Sequence, residues 1–265
     1  MARMPFGNRP VSRSNFGKRQ VKPYATWARI AHLCVCSVSS IGDGVYNFTN
    51  IPLPEDEAAR WVEEAQRRGV KSVALLWQDY PSVNGHVRAL REEAARRGLR
   101  VTSANRFASN TTDFTAAIAE ARASAPDLYF VEAAGPALDI LGRQLKEARI
   151  DNLASVVAFS ISDHPEIFEG AWYTDSNLAD AGFKMRFEEK FPETRFATHM
   201  MPYAYDSLRL LVEAFESGQD PAAYLRAKTA YDGSAGRVTR APGSGNFRSR
   251  PAVWRITSGK PQLID

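Results

Sequence analysis

The chain has 265 residues, 44% apolar and 24% charged, enough for one large α/β domain or two modest ones and too apolar for a disordered or collagen-like chain. No run of about 18 apolar residues occurs, which excludes an integral membrane helix. The formal charge of +4 invites a nucleic-acid reading, but seven Lys and Arg residues precede position 31 and the first acidic residue is Asp43. The body beyond them is slightly acidic, which argues against a broad phosphate-binding face and a nucleic-acid partner.

Residues 1–38 mix Arg, Asn, Ser, Gly and Pro without an apolar stripe and read as a disordered basic leader. The apolar stretch Ile30–Val38 is too short and late for a convincing signal peptide and contains His32. Cys34 and Cys36 stand one residue apart. A bridge between them would be strained, and no C-x-x-C pair occurs, so neither a disulfide scaffold nor a zinc ribbon is expected.

Regular patterning starts after residue 50. Pro54 and the acidic triplet Glu55, Asp56 and Glu57 open a helix whose apolar face is Ala58, Trp61, Val62 and Ala65, and Gly69 ends it. Lys71–Trp77 reads as a buried strand, Val83–Ala94 as a helix stopped by Gly98, and Leu99–Phe107 as a second strand. A helix follows over Phe114–Ala121, then a strand over Asp127–Glu132, a helix over Leu138–Ala148 and a strand over Ser155–Phe159. Such alternation builds βαβ units and a parallel sheet with both faces covered.

Beyond residue 160 the rhythm loosens. Asp163 reads as the cap of a helix with Glu166 three residues on. Ala171–Thr174 reads as a short strand, Phe183–Phe191 and Tyr205–Phe215 as helices. Gly233–Thr239 and Ala252–Thr257 read as a strand pair joined through the turn-rich Ala241–Asn246 segment.

No nucleophile elbow, phosphate-binding loop or dinucleotide fingerprint is present. His32, His86, His164 and His199 are scattered without metal-ligand spacing. The expectation is therefore a non-enzyme without metal or cofactor. In open parallel sheets ligands sit beyond the carboxyl ends of the strands, which selects seven candidates. Tyr80 offers an aromatic wall. Ala134 and Gly135 leave room beside a helix N-terminus whose N–H groups receive a carboxylate. Ser160 and Ser162 are hydroxyl donors. Glu132 and Asp163 suit an ammonium group, although Glu132 also suits a surface cation and Asp163 a helix cap.

Five segments carry a family resemblance. They are GVKSVALLWQDYPSVNG (Gly69–Gly85), TDFTAAIAEARASAPDLYFV (Thr112–Val131), ISDHPEIFEGAWYT (Ile161–Thr174), AYDSLRLLVEAF (Ala204–Phe215) and TAYDGSAGRVT (Thr229–Thr239) running on to Asn246. In order and spacing they resemble the type I periplasmic solute-binding proteins of branched-chain amino acid and amide ABC transporters, the Leu/Ile/Val-binding family. The resemblance covers about residues 40–263. It implies a periplasmic-binding-protein-like type I α/β fold, a parallel sheet flanked by helices, with the second lobe mainly at 54–174 and returning segments at 175–265 of a solute-binding domain spanning 39–265. Most of the first lobe is expected to be lacking. The resemblance implies a periplasmic substrate-binding component of an ABC importer, capturing amino acids, amides or aromatic acids and docking on permease subunits. The other readings are a cytoplasmic ligand sensor on the same lobe and a small α/β enzyme. A half site would bind no better than about millimolar.

Overall fold

The computed structural model describes residues 16–194 and 196–265. Two sheets share the chain. In order, the first elements are α1 (Phe16–Ala28), β1 (His32–Cys34), β2 (Asn47–Asn50), α2 (Pro54–Arg67), β3 (Ser72–Gln78), α3 (Pro81–Arg97), β4 (Arg100–Phe107) and α4 (Thr115–Ala123). Then come β5 (Leu128–Glu132), α5 (Pro136–Glu147), β6 (Leu153–Val156), α6 (Ala158–Ile161) and β7 (Trp172–Asp175). The remainder is α7 (Ala181–Lys190), α8 (Met201–Glu216), α9 (Pro221–Ala227), β8 (Ala230–Gly233), β9 (Gly236–Arg240), β10 (Asn246–Arg248), β11 (Ala252–Thr257) and β12 (Lys260–Leu263).

The larger sheet runs β12-β11-β7-β6-β5-β3-β4. Its members from β7 to β4 are parallel, and β11 and β12 add antiparallel strands at the β7 side. β3 shows why its sequence is apolar without alternation. Ala74 and Leu76 enter the core beneath α4 and α5, while Val73, Leu75 and Trp77 enter the one beneath α2 and α3. A strand covered on both faces needs apolar residues at every position. The α2 stripe delivers Trp61, whose ring stacks on Trp172 at 5.2 Å and meets Phe130 edge-on at 5.6 Å. Gly98 ends α3 at φ 73°, a conformation that costs glycine little.

The smaller sheet runs β1-β2-β10-β9-β8, with β1, β2 and β10 parallel. Phe48, Tyr203, Leu210, Leu225 and Phe247 form its core against α8 and α9. The chain passes between the sheets after β2, after β7 and after β10.

Three expectations need correction. The expected basic leader extends to residue 38, but α1 and β1 occupy much of its described part. Ala25 is buried, Thr26 Oγ1 accepts from Asn47 Nδ2 at 2.9 Å, and β1 pairs with β2 along His32–Asn47, Leu33–Phe48 and Cys34–Thr49. Over residues 21–28 of α1 only Ala25 is buried, and Val21, Tyr24 and Trp27 stay exposed. Residues 1–15 lie outside the described residues. A chain starting at residue 39 loses β1 and the packing of Ala31, Leu33 and Val35 on the small core. Its expected loss is roughly 2 kcal/mol, read in a thermal melt as a drop of about 4–8 °C.

Second, Cys34 and Cys36 are joined in a disulfide. The chain bends after β1 so that their Cα atoms lie 5.3 Å apart, inside the span a disulfide bridges. Third, Gly233–Thr239 and Ala252–Thr257 do not pair. The former makes the β8–β9 turn and β9 of the small sheet, with Gly233 opposite Gly236, and the latter is β11 of the large one. The small sheet is thus built from both ends of the chain.

Candidate functional site

A cavity of about 210 Å³ lies between the two sheets. The large sheet supplies its floor, because β3, β5 and β6 all end there. Tyr80 follows β3, Glu132 closes β5, and Val157 follows β6 with φ 52°, a left-handed turn that bends the chain into α6. From the small-sheet side come Val35, Cys36, Ser37 and Ile51, and from the chain entering α8 come His199 and Met200. The site has two walls, and residues 35–37 of the supposed leader belong to one of them.

Its polar centre is a buried pair. His86 Nδ1 lies 2.5 Å from Glu132 Oε1, and both side chains are almost wholly inaccessible. Burial opposes charge on His86, but Glu132, Glu57 and Glu55 outweigh it and hold the imidazole above its ordinary pKa. Burial pushes the Glu132 carboxyl up, against the pull of His86 and His199. Glu132 Oε2 is buried and has no hydrogen-bond partner among the described residues. Behind this pair, His199 Nδ1 lies 3.4 Å from Asp175 Oδ1. Asp175, fully buried at the end of β7, accepts from Thr198 Oγ1 at 2.5 Å and from the Ser176 amide at 2.6 Å. Glu57 completes the polar waist from the first turn of α2. Burial, aided by the charge on Asp175, pushes its carboxyl up to about 8.

The seven candidate residues do not all meet. Tyr80, Glu132 and Ala134 line the cavity. Tyr80 is about two-fifths exposed and keeps a free face for a solute. The Ala134 amide, expected to be open to a carboxylate, instead donates to Gln78 Oε1 at 2.9 Å. Gly135 stands at the N-terminus of α5 with φ 61° and is not a lining residue. Ser160 is buried, donates to the Val157 carbonyl at 2.7 Å, and lines a separate groove of about 860 Å³ beside α7 and β12. Ser162 donates to Asp139 Oδ1 at 2.7 Å and accepts from the His164 amide. Asp163 is exposed, and in place of the helix expected after it stands a single 3-10 turn, Pro165–Phe168, after His164.

Sequence reasoning missed His86, His199 and the Val35–Ser37 wall. His86 carried a usable signal: it sits beside Val83, Val87 and Leu90 on the buried face of α3, where an imidazole needs a partner. The partner is a carboxylate. Among the described residues no group of His, Cys, Asp and Glu is placed to hold a metal ion.

A cavity at the carboxyl ends of parallel strands, closed by a second sheet that the chain re-enters, defines a two-lobed solute-binding architecture. The family model described as periplasmic binding protein matches residues 18–260, and the chain belongs to that family. Solved structures share the type I fold. A branched-chain amino acid ABC transporter periplasmic ligand-binding protein from Burkholderia xenovorans LB400 is 18% identical with a TM-score of 0.78, covering 92% of this chain and 72% of its own. A leucine-binding protein from Thermotoga maritima MSB8 is 16% identical with a TM-score of 0.76, covering 94% and 76%. A solute-binding protein from R. palustris, solved with 4-hydroxybenzoate, is 20% identical with a TM-score of 0.75, covering 92% and 74%. No curated protein matches the sequence.

Proposed function

We propose that this chain is the substrate-binding component of an ABC importer, holding a small amino acid, amide or related solute between its sheets in the periplasm and presenting it to permease subunits. The observation that carries this reading is the cavity itself, walled by both sheets and crossed by the connections between them. Relative movement of the sheets about those connections opens or closes it, the hinge motion by which such clefts capture solute. The reading needs no catalytic group. Ser160, the hydroxyl best placed in sequence for a nucleophile, spends its proton on the Val157 carbonyl and lines another groove. Among the described residues no helix is long and apolar enough to cross a membrane, as suits a component that works beside its permease.

The two-walled site changes the affinity expected from a half site. At about 210 Å³ the cavity is smaller than those that take drug-sized ligands, and it encloses most of a small solute. Micromolar binding is expected, about 8 kcal/mol. The test is calorimetry of the purified protein against a panel of amino acids, their amides and aromatic acids. One-to-one binding supports the reading, and Tyr80→Ala is expected to weaken it about tenfold by removing the aromatic wall. Absence of any binding across the panel, or ester hydrolysis that disappears in Ser160→Ala, would overturn it.

A further inference from the structure

The helix α1 turns aromatic rings outward, where most proteins bury them. Ala25 is buried, and Thr26 Oγ1 accepts from Asn47 Nδ2 of β2 at 2.9 Å. Two residues on, about 200° round the helix from Ala25, stands Trp27. It is 62% exposed, and its ring centroid lies 5.9 Å from that of Tyr24, also exposed. Val21 and Ile30 are exposed as well. The chain's other four tryptophans, Trp61, Trp77, Trp172 and Trp254, are buried, as is usual for so large an apolar side chain.

The same helix is basic. Lys18, Arg19 and Lys22 belong to α1, Arg29 follows it, and no Asp or Glu precedes Asp43 in the sequence. Lys22 Nζ donates to the Ser40 carbonyl at 2.5 Å, a neutral partner that leaves the charge uncancelled. Asp43 approaches α1 through Asn47, whose Nδ2 donates to both Thr26 Oγ1 and Asp43 Oδ2. The Asp43 carboxylate also accepts from the Val45, Tyr46 and Asn47 amides, so its oxygens are spent within the 43–47 loop. We infer that α1 docks this protein on the surface of a bilayer containing anionic phospholipid, lying flat with Tyr24 and Trp27 among the headgroups.

Charge complementarity selects this occupant. Trp and Tyr settle at the boundary between headgroups and acyl chains, and Lys and Arg beside them are drawn to anionic headgroups. With 13 residues, α1 is about 20 Å long and too short to span, so it lies on the membrane. A second copy fits less well. An isologous contact sets the same patch against itself, bringing the cations of two helices together, and protein interfaces are poor in Lys. No residue of α1 lines the cavity between the sheets, so a docked protein keeps its solute site.

The experiment mixes the whole protein with phosphatidylcholine vesicles, with and without about 30% phosphatidylglycerol, and reads co-sedimentation and tryptophan emission. Binding is expected to be at least tenfold tighter to the anionic vesicles and to fall when salt rises from about 0.05 M to about 0.5 M. Emission is expected to shift to the blue on binding, and the shift to vanish in Trp27→Phe, because the remaining tryptophans are already buried. Tyr24→Ser combined with Trp27→Ser, its fold checked by a thermal melt, is expected to lose at least tenfold in vesicle affinity. Lys18→Gln combined with Arg19→Gln is expected to lose about fivefold or more. The proposal is overturned if anionic vesicles bind no tighter than neutral ones, if emission stays unchanged on binding, or if either folded double variant binds within twofold of the parent. A dimer that shields Trp27 without lipid, or tighter binding to a nucleic acid than to anionic vesicles, would also end it. Solute calorimetry is a separate measurement, so failure here leaves the importer reading standing.

Discussion

Replacing Glu57 by Gln is expected to abolish much of the loss of stability that this protein undergoes between about pH 5 and pH 9. Glu57 is buried in the first turn of α2, and its Oε2 has no hydrogen-bond partner among the described residues. Burial is the main reason its carboxyl is pushed from 4.5 to about 8, and the negative charge of Asp175 adds to it. His86 pulls the other way, and Asp56 adds a small push upward. Folding therefore draws a proton onto Glu57. Between 4.5 and about 8 the folded protein keeps a proton that the unfolded chain has released, so stability falls as pH rises through that window and levels off above it. A displacement of that size corresponds to about 4 kcal/mol at the alkaline end.

Gln is neutral throughout and has no proton to lose across this range. Parent and Glu57→Gln should melt at similar temperatures near pH 5, and the variant roughly 10 °C higher near pH 9. His86, whose pKa is raised in the fold, also stabilises below its unfolded pKa and loses that contribution as pH rises through its folded one. Because Glu57 also helps to raise the His86 pKa, the difference between the two proteins reports Glu57 together with its coupling to His86. Melting curves of parent and variant that run parallel across this range would show that Glu57 does not carry the proton.

The difference between legible and illegible features lies in how far each reaches along the chain. The βαβ run from α2 to β6 is local. Trp61 with Val62 and Ala65, or Leu138 with Leu141 and Leu145, announces a helix face within two turns, and the DLYFV run announces β5. The small sheet is not local. β2 lies between β1 and β10, and it is joined to β10 by the Thr49–Asn246 hydrogen bond, across 197 residues. Short strands that pair at such distances leave little periodic signal of their own, so β1, β2 and β10 escape a reading by pattern and β9 is matched to the wrong partner. The cavity suffers likewise. Strand ends point to Tyr80, Glu132 and Ala134, but the wall at residues 35–37 and the imidazole facing Glu132 come from elements whose approach only the fold reveals. Ser160 and Ser162 are plausible by position, and the hydrogen bonds they donate turn them to structural use.

Asp206→Ala is expected to cost about 2–4 kcal/mol, and the reason ties two sequence motifs together. Asp206 belongs to the Ala204-Tyr205-Asp206 start of α8, and Gly233 closes the Tyr231-Asp232-Gly233 run at the end of β8. In the fold they touch. Asp206 Oδ1 accepts from the Ser234 amide at 2.9 Å, and Oδ2 accepts from the Ala235 amide at 3.3 Å. One buried carboxyl thereby satisfies two backbone donors of the β8–β9 turn, which would otherwise be stranded. Burial raises the carboxyl pKa while these two amides pull it down. Gly233 is required for the same contact: a Cβ there would lie 2.6 Å from Asp206 Cγ and 2.8 Å from the Tyr231 ring. Asp206→Ala leaves both amides without their acceptor, whereas Asp206→Asn keeps one and should lose less than half as much. Gly233→Ala forces the helix and hairpin apart and is expected to be at least as damaging as Asp206→Ala. Because β8 and β9 close the small sheet against Tyr203 and Leu210, these losses should appear both as a lower melting temperature and as faster amide exchange in β8, β9 and α8. A melting temperature for Asp206→Ala within about 2 °C of the parent would show that the turn is held by other contacts.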